Sequence, residues 1–386
     1  MFIVFIFDGC VDKLNIDLGE RAILPIVISG FISDQPGPYT IKIRQSFNTT
    51  AYAYEAPVSI KRMTLSDNVG NQEMLSELSK GVYQTDSARI RGVAGRAYKI
   101  NVELFNGKVY ESIYDTLPPP AKLDTVYAKY KTVSNFWGGT DFSFDIYLDA
   151  TTNLLTSYYF YWKYNATFKL ETHPELELEE VPNGSTPCSY ADIDCEGCSV
   201  CNLLAKCSGL RNIGSPSPGG ANFIKIAPCS CCTCWYTFSN ENPILSDYQF
   251  FQSGQFKNIK VGSILLDDYI IQSKIYAEVN QFSLTRQAYL FYKAIRDQKD
   301  GATSLFQPPS GKIPSNFIQV NGGVEPVIGL FYATSVSTRR LVITKDDVPF
   351  GGYPFSQVPL RLIKRSCLAV GLYPNATTTK PSFWRD

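Results

Sequence analysis

Nine of the chain's eleven cysteines fall between Cys188 and Cys234, and no other residues combine reactive type with such close spacing. Cys195-x2-Cys198-x2-Cys201 suits a tetrahedral zinc, an iron–sulfur cluster or bridged loops equally well. The compartment decides, because thiols stay reduced in a cytosol and oxidise outside it. There is one histidine, His173, in the sequence ETHPEL, so a multi-histidine metal site is excluded and a histidine-based triad has a single place to start. A histidine followed by proline reads as a surface residue. The phosphate loop GxxxxGK[ST] and the GxGxxG turn are both missing from the sequence. Paired carboxylates need no motif, and nothing singles out a pair here. The expectation is a protein with no catalytic residues, no metal and no cofactor, whose cysteines serve structure.

The opening MFIVFIFDGC reads as the end of a bacterial lipoprotein signal, an apolar run closing on the cysteine that receives the lipid. Its basic start is missing and its apolar part is short, so either the true start lies further upstream or Cys10 is an ordinary cysteine behind a buried strand. No later apolar run approaches the ~18 residues of a membrane helix. With export expected, disulfides are favoured, and a zinc or iron–sulfur site stands as the alternative for a reduced compartment. Setting Cys10 aside leaves ten cysteines, an even number with about 945 possible pairings. In Cys229-Ser-Cys231-Cys232-Thr-Cys234, neighbours bridge each other only with strain. These four are therefore expected to seek distant partners among Cys188, Cys195, Cys198, Cys201, Cys207 and Cys367, with a bridge from Cys232 or Cys234 to Cys367 favoured.

The elements that carry these residues are mainly strands. Tyr and Phe number 24 each against 3 Met, a composition suited to pleated, half-buried surfaces. Lys plus Arg equals Asp plus Glu at 36 each, so no net field favours nucleic acid or an anionic membrane. Residues 1–19 are read as signal remnant, anchor and tether. Residues 20–116 alternate apolar and polar side chains in short runs broken by turns such as DNVGN and FNGK, which predicts an immunoglobulin-like β-sandwich. Leu117-Pro118-Pro119-Pro120 then predicts a stiff linker, and 121–386 a larger β-rich domain with a cysteine-rich insertion at 188–234. In PELELEEVP, Glu175, Glu177 and Glu179 share one strand face, a solvated edge more readily than a calcium site. One helix is predicted at about 283–299, with Leu284, Ala288, Phe291 and Ile295 on its apolar face, Ser283 as cap and Gly301 as stop.

Several stretches, in order along nearly the whole chain, resemble the DUF4249 lipoproteins. They are CVDKLNIDLGERAILPIVISGFISDQPGPYTIKI, APVSIKRMTLSDNVGNQEMLSELSKGVYQT, GVAGRAYKINVELFNGKVYES, TLPPPAKLDTVY, TCWYTF, SLTRQAYLFYKAI, SLFQPPSGKIPSNF, VIGLFYATSVSTRRL and KPSFW. Residues 188–207 look like an added disulfide-rich insertion, Ser315-Asn316 replaces a usual Gly-Asn, and only Cys367 stands where two cysteines are common. The resemblance implies an outer-membrane lipoprotein of a Gram-negative bacterium, lipidated at Cys10 and often encoded beside a TonB-dependent receptor. From it we expect a non-enzymatic accessory or ligand-capture partner of such a transporter. The alternative is a structural or adhesion subunit of the cell envelope. For an aromatic ligand patch the candidates are Tyr158, Tyr159, Tyr161 and Trp162, since a strand turns only alternate residues of YYFYW inward. Packing between two layers is the competing role.

Overall fold

A computed structural model describes residues 25–46, 55–152, 159–174, 179–180, 200–201, 206–212, 223–240, 242–247, 251–267, 269–271, 274–302, 315–322, 327–352, 363–371 and 373–385. The described residues are mainly β, with several sheets and one α-helix. A ten-stranded sheet forms the central wall, its strands ordered Thr233–Ser239, Phe160–Glu171, Ile275–Ser283, Val327–Ile343, Ile26–Ser33, Thr40–Ser46, Val82–Gln84 and Ser76–Ser79, with two short strands off this path. Alternation sets which side chains the wall buries: Ile275–Ser283 buries every second residue from Ile275, as period-two side chains require.

Two smaller sheets cover different parts of the wall. A six-stranded sheet built on Arg62–Asp67, Ala97–Glu103 and Val109–Ser112 closes one core around Ile28, Ile32, Ile43, Tyr98, Ile100, Tyr110 and Phe331. A four-stranded sheet built on Lys122–Ser134, Thr140–Thr151 and Gln255–Leu265 closes a second core around Phe144, Phe160, Trp162, Phe168, Phe256 and Val279. The helix Arg286–Ala302 lies over a third, smaller cluster with Leu284, Ala288, Leu330 and Tyr332.

Strand pairing crosses the boundary expected at 117–120. Ile26–Ser33 pairs in parallel with the first half of Val327–Ile343, from Ile26 opposite Val327 to Ser33 opposite Thr334. The second half of that 17-residue strand pairs antiparallel with Ile275–Ser283. Phe317–Gln319 likewise joins Val109–Ser112. Nor is the proline stretch a free spacer: Leu117 is buried, its N–H donates to Arg96 O at 2.8 Å, and the Ser335 hydroxyl donates to Pro118 O. An apolar Leu ahead of the prolines has core to fill, which draws the segment onto the wall.

The helix is also shifted from its expected place. Ser283 is the last residue of a strand and is buried, and Thr285 caps instead, its Oγ1 accepting from Ala288 N at 3.3 Å. Gly301 falls inside the last turn, which ends at Ala302. Of the Leu-Glu stretch, Glu175 and Glu177 lie outside the described residues, and Glu179–Glu180 pairs with Val200–Cys201. No described helix is long and apolar enough to cross a membrane.

Candidate binding surface

The strands Lys122–Ser134 and Thr140–Thr151 form a hairpin of 13- and 12-residue arms whose far part stands clear of the body. From Lys131 to Thr140 every residue but Asn135 is exposed. The turn follows from sequence. Asn135 Oδ1 accepts from Trp137 N at 3.1 Å and Gly139 N at 2.8 Å, and its Nδ2 donates to Asp141 Oδ1 at 3.0 Å. Gly138 sits at φ +78°, where a side chain would be strained. This tightly tied turn presents Phe136 at 92% and Trp137 at 88% exposure, their rings edge to face at 5.3 Å. Residues 134–140, SNFWGGT, carry no charge.

The root of the hairpin is packed and hydrogen-bonded to the body. Tyr130 packs edge-on to Phe144 at 5.6 Å and donates its hydroxyl to Gly352 O, tying the hairpin to a loop whose Phe350 is fully exposed. Lys129 sits 4.6 Å above the Tyr147 ring, which stacks on Tyr127 at 5.7 Å. Burial works to raise the Asp145 carboxyl, but Lys260 at 2.8 Å and the Ser263 hydroxyl at 2.6 Å outweigh it and hold the group below the usual carboxylate range.

Ser337 Oγ donates to Ala121 O at 2.7 Å and Arg339 Nε to Leu123 O at 3.1 Å, so the first hairpin arm and the long strand Val327–Ile343 advance in the same direction. The aromatic turn and Phe350 therefore share one end of the molecule. Ile26, paired with Val327, lies at the other end of that strand, roughly 50 Å away at about 3.3 Å per residue.

The aromatic run expected to offer a ligand face is consumed by packing. Tyr158 lies outside the described residues. Trp162 points into the second core and donates its indole N–H to Gln281 Oε1 at 2.9 Å. Tyr159 and Tyr161 point the opposite way, where the helix covers them: Tyr159 meets Tyr289 at 4.9 Å, and Tyr161 stacks on Tyr292 at 4.8 Å and Phe282 at 5.5 Å. Loss of water among these rings pushes the Tyr292 and Tyr332 phenols well above their ordinary value. The chain itself thus supplies a layer over Tyr159 and Tyr161. The exposed pair Phe136-Trp137 escaped the sequence reading, although two large aromatics beside Gly-Gly between two long strands mark a turn with no core to enter.

Three disulfides stand among the described residues: Cys207–Cys231, Cys229–Cys232 and Cys234–Cys367. Of the two partners left open for Cys367, the structure takes Cys234, joining the tail to the wall. The expectation that Cys229, Cys231, Cys232 and Cys234 all look elsewhere is corrected by Cys229–Cys232. Those two are three residues apart, a spacing that lets the chain turn back on itself with Cα atoms 5.7 Å apart. Cys10, Cys188, Cys195 and Cys198 lie outside the described residues, and Cys201 is placed by its backbone alone, in the strand Val200–Cys201. Among the described residues no three His, Cys, Asp or Glu side chains gather as a metal site.

A comparison with protein families matches residues 11–340 to DUF4249, a domain of unknown function. The chain belongs to the DUF4249 family. Neither the curated proteins nor the solved structures gave a match. Within this DUF4249 chain the matched range takes in the hairpin, the helix and most of the long strand, and leaves Phe350 and Cys367 beyond it.

Proposed function

We propose that this DUF4249 protein is an outer-membrane lipoprotein, anchored by acyl chains on Cys10, that serves without catalysis as an accessory of a TonB-dependent receptor. The observation that carries the proposal is the exposed Phe136–Trp137 pair at the tip of a braced hairpin. Two such rings offer roughly 300–500 Å² of apolar surface, about 8–12 kcal/mol gross before the costs of association. Aromatic residues at the centre of an uncharged tip have the composition of binding hot spots. Disulfides agree with export, since they persist in oxidising compartments. The link to a TonB-dependent receptor draws on the family resemblance alone.

The experiment is a gentle-detergent pull-down of tagged full-length protein from its native outer membrane, with mass spectrometry of the partners and of the Cys10 peptide. Stoichiometric receptor and acylated Cys10 are expected from the native protein. Phe136→Ala/Trp137→Ala is expected to stay acylated and lose the receptor. Recovery of the lipidated protein alone, or with other envelope proteins only, moves the assignment to a structural or adhesion subunit; an unmodified, soluble Cys10 defeats the anchor.

A further inference from the structure

Arg89, Arg91 and Arg96 share one eight-residue stretch, RIRGVAGR, between the strands Val82–Gln84 and Ala97–Glu103. They line one side of an open cleft of about 440 Å³ whose other side is the Asp67–Glu73 turn. The loop bearing them is fixed from behind. Gly92 donates its N–H to Ser33 O at 2.9 Å, and a Cβ there would fall 2.4 Å from the same oxygen, so only glycine lets the loop lie this close. Gly95 N–H donates to Leu117 O at 2.9 Å. Glu73, 4% exposed, accepts from Asp86 N at 2.6 Å and Ile90 N at 3.0 Å.

The two carboxylates lining the cleft are spent inward. Glu73 holds the loop amides. Asp67, also 4% exposed, accepts from Val69 N at 3.0 Å, Asn71 N at 2.8 Å, Asn71 Nδ2 at 2.7 Å and Arg96 Nη1 at 3.2 Å. The third acid, Asp86, is exposed and 3.7 Å from Arg89 Nε, a weak solvated pair. Arg91 is oriented by its Nε, which donates to Asp34 O at 2.6 Å, while its two terminal nitrogens have no hydrogen-bond partner among the described residues. Guanidinium donors held in a fixed fork match the paired oxygens of an oxyanion. Asn71 and Gln72 add amide groups at the rim.

We propose that this cleft binds the oxyanion group, carboxylate or phosphate, of a small organic anion. The site is independent of the receptor contact and of the lipid anchor. The test is calorimetric titration of the full chain with inorganic phosphate and, separately, with succinate, at about 50 mM salt, where exposed charges are weakly screened. Saturable binding of at least one probe is expected, with Arg89→Gln/Arg91→Gln weakening it by about tenfold or more at unchanged melting temperature. Tighter phosphate assigns a phosphate ligand, and tighter succinate a carboxylate. Arg96→Lys, which keeps a cation beside Asp67 but removes the planar fork, is the second variant and is expected to weaken binding less than the double variant does. Failure of both probes to saturate, or native affinity in the double variant, overturns the site.

Discussion

The two cores that share the central wall are held by different means. The first, around Ile28, Tyr98 and Phe331, is closed by apolar packing and by buried acids that bind loop amides, Asp67 and Glu73 above all. The second, around Trp162 and Phe256, has its rim tied covalently, with Cys234–Cys367 drawing the tail against the wall. One closes by packing and hydrogen-bonded carboxylates, the other by packing and a covalent bridge. The contrast teaches that a single sheet can carry two separate sources of stability; a seam of another kind lies where Asp115 accepts from Ala333 N at 2.9 Å and from the Thr285 hydroxyl at 2.7 Å, tying the first core to the start of the helix.

The largest break in that contrast is expected from Cys234→Ala/Cys367→Ala. The bridge spans 133 residues, so its loss releases about 5 kcal/mol of chain entropy, an upper value for a loop of this size. Denaturant melts should show that drop, and hydrogen exchange should place it on Phe160–Glu171 and Thr233–Ser239 while Ala97–Glu103 stays protected. An equal loss of protection in both cores would mean that the two supports are not separate. Next comes Phe331→Ala, at a position with no exposed surface, expected to cost about 3–5 kcal/mol through the cavity it leaves. Its effect should fall first on the other core, and a loss confined to the disulfide-bonded side would refute the assignment.

A smaller effect sharpens the seam. Burial pushes Asp115 up to about 6, against a usual carboxyl near 4, so between these values the folded protein binds a proton that the unfolded chain releases. Stability should therefore rise as pH falls from about 6 to about 4, by about 2–3 kcal/mol from this group alone. Asp115→Asn should remove that rise without lowering stability at pH 7.5; an unchanged pH slope would show that the seam does not govern it. The smallest effect is expected at the hairpin tip, where Phe136→Ala/Trp137→Ala should shift stability by less than about 0.5 kcal/mol, because the rings pack on nothing but each other. A larger loss in thermal melts would give them a folding role.

Much of this was legible in the sequence wherever the signal is local. Period-two alternation marked strands such as Ala97–Glu103, and a 3.6-residue period marked the helix. The cap was misplaced by two residues because Ser283 and Thr285 are equally good caps locally, and only the strand's buried end tells them apart. The parallel pairing of Ile26–Ser33 with Val327–Ile343 leaves no local trace, since register across about 300 residues is set by packing alone. The arginine cleft was hidden for a similar reason: whether RIRGVAGR is a solvated run or a lined cavity depends on Glu73 and Ser33 reaching it from other strands. YYFYW left a ligand face and packing between two layers both open, and its composition does not say that the chain's own helix covers it.

The shared strand Val327–Ile343 also dictates an order of events at birth. Until it emerges from the ribosome, Ile26–Ser33 has only Thr40–Ser46 beside it, and its other edge is an open template for strangers. So distant a pairing makes for slow maturation and a long exposure to misassociation. A chain cut at Pro118 would carry that open edge permanently and would be expected to aggregate rather than persist as a free-standing half.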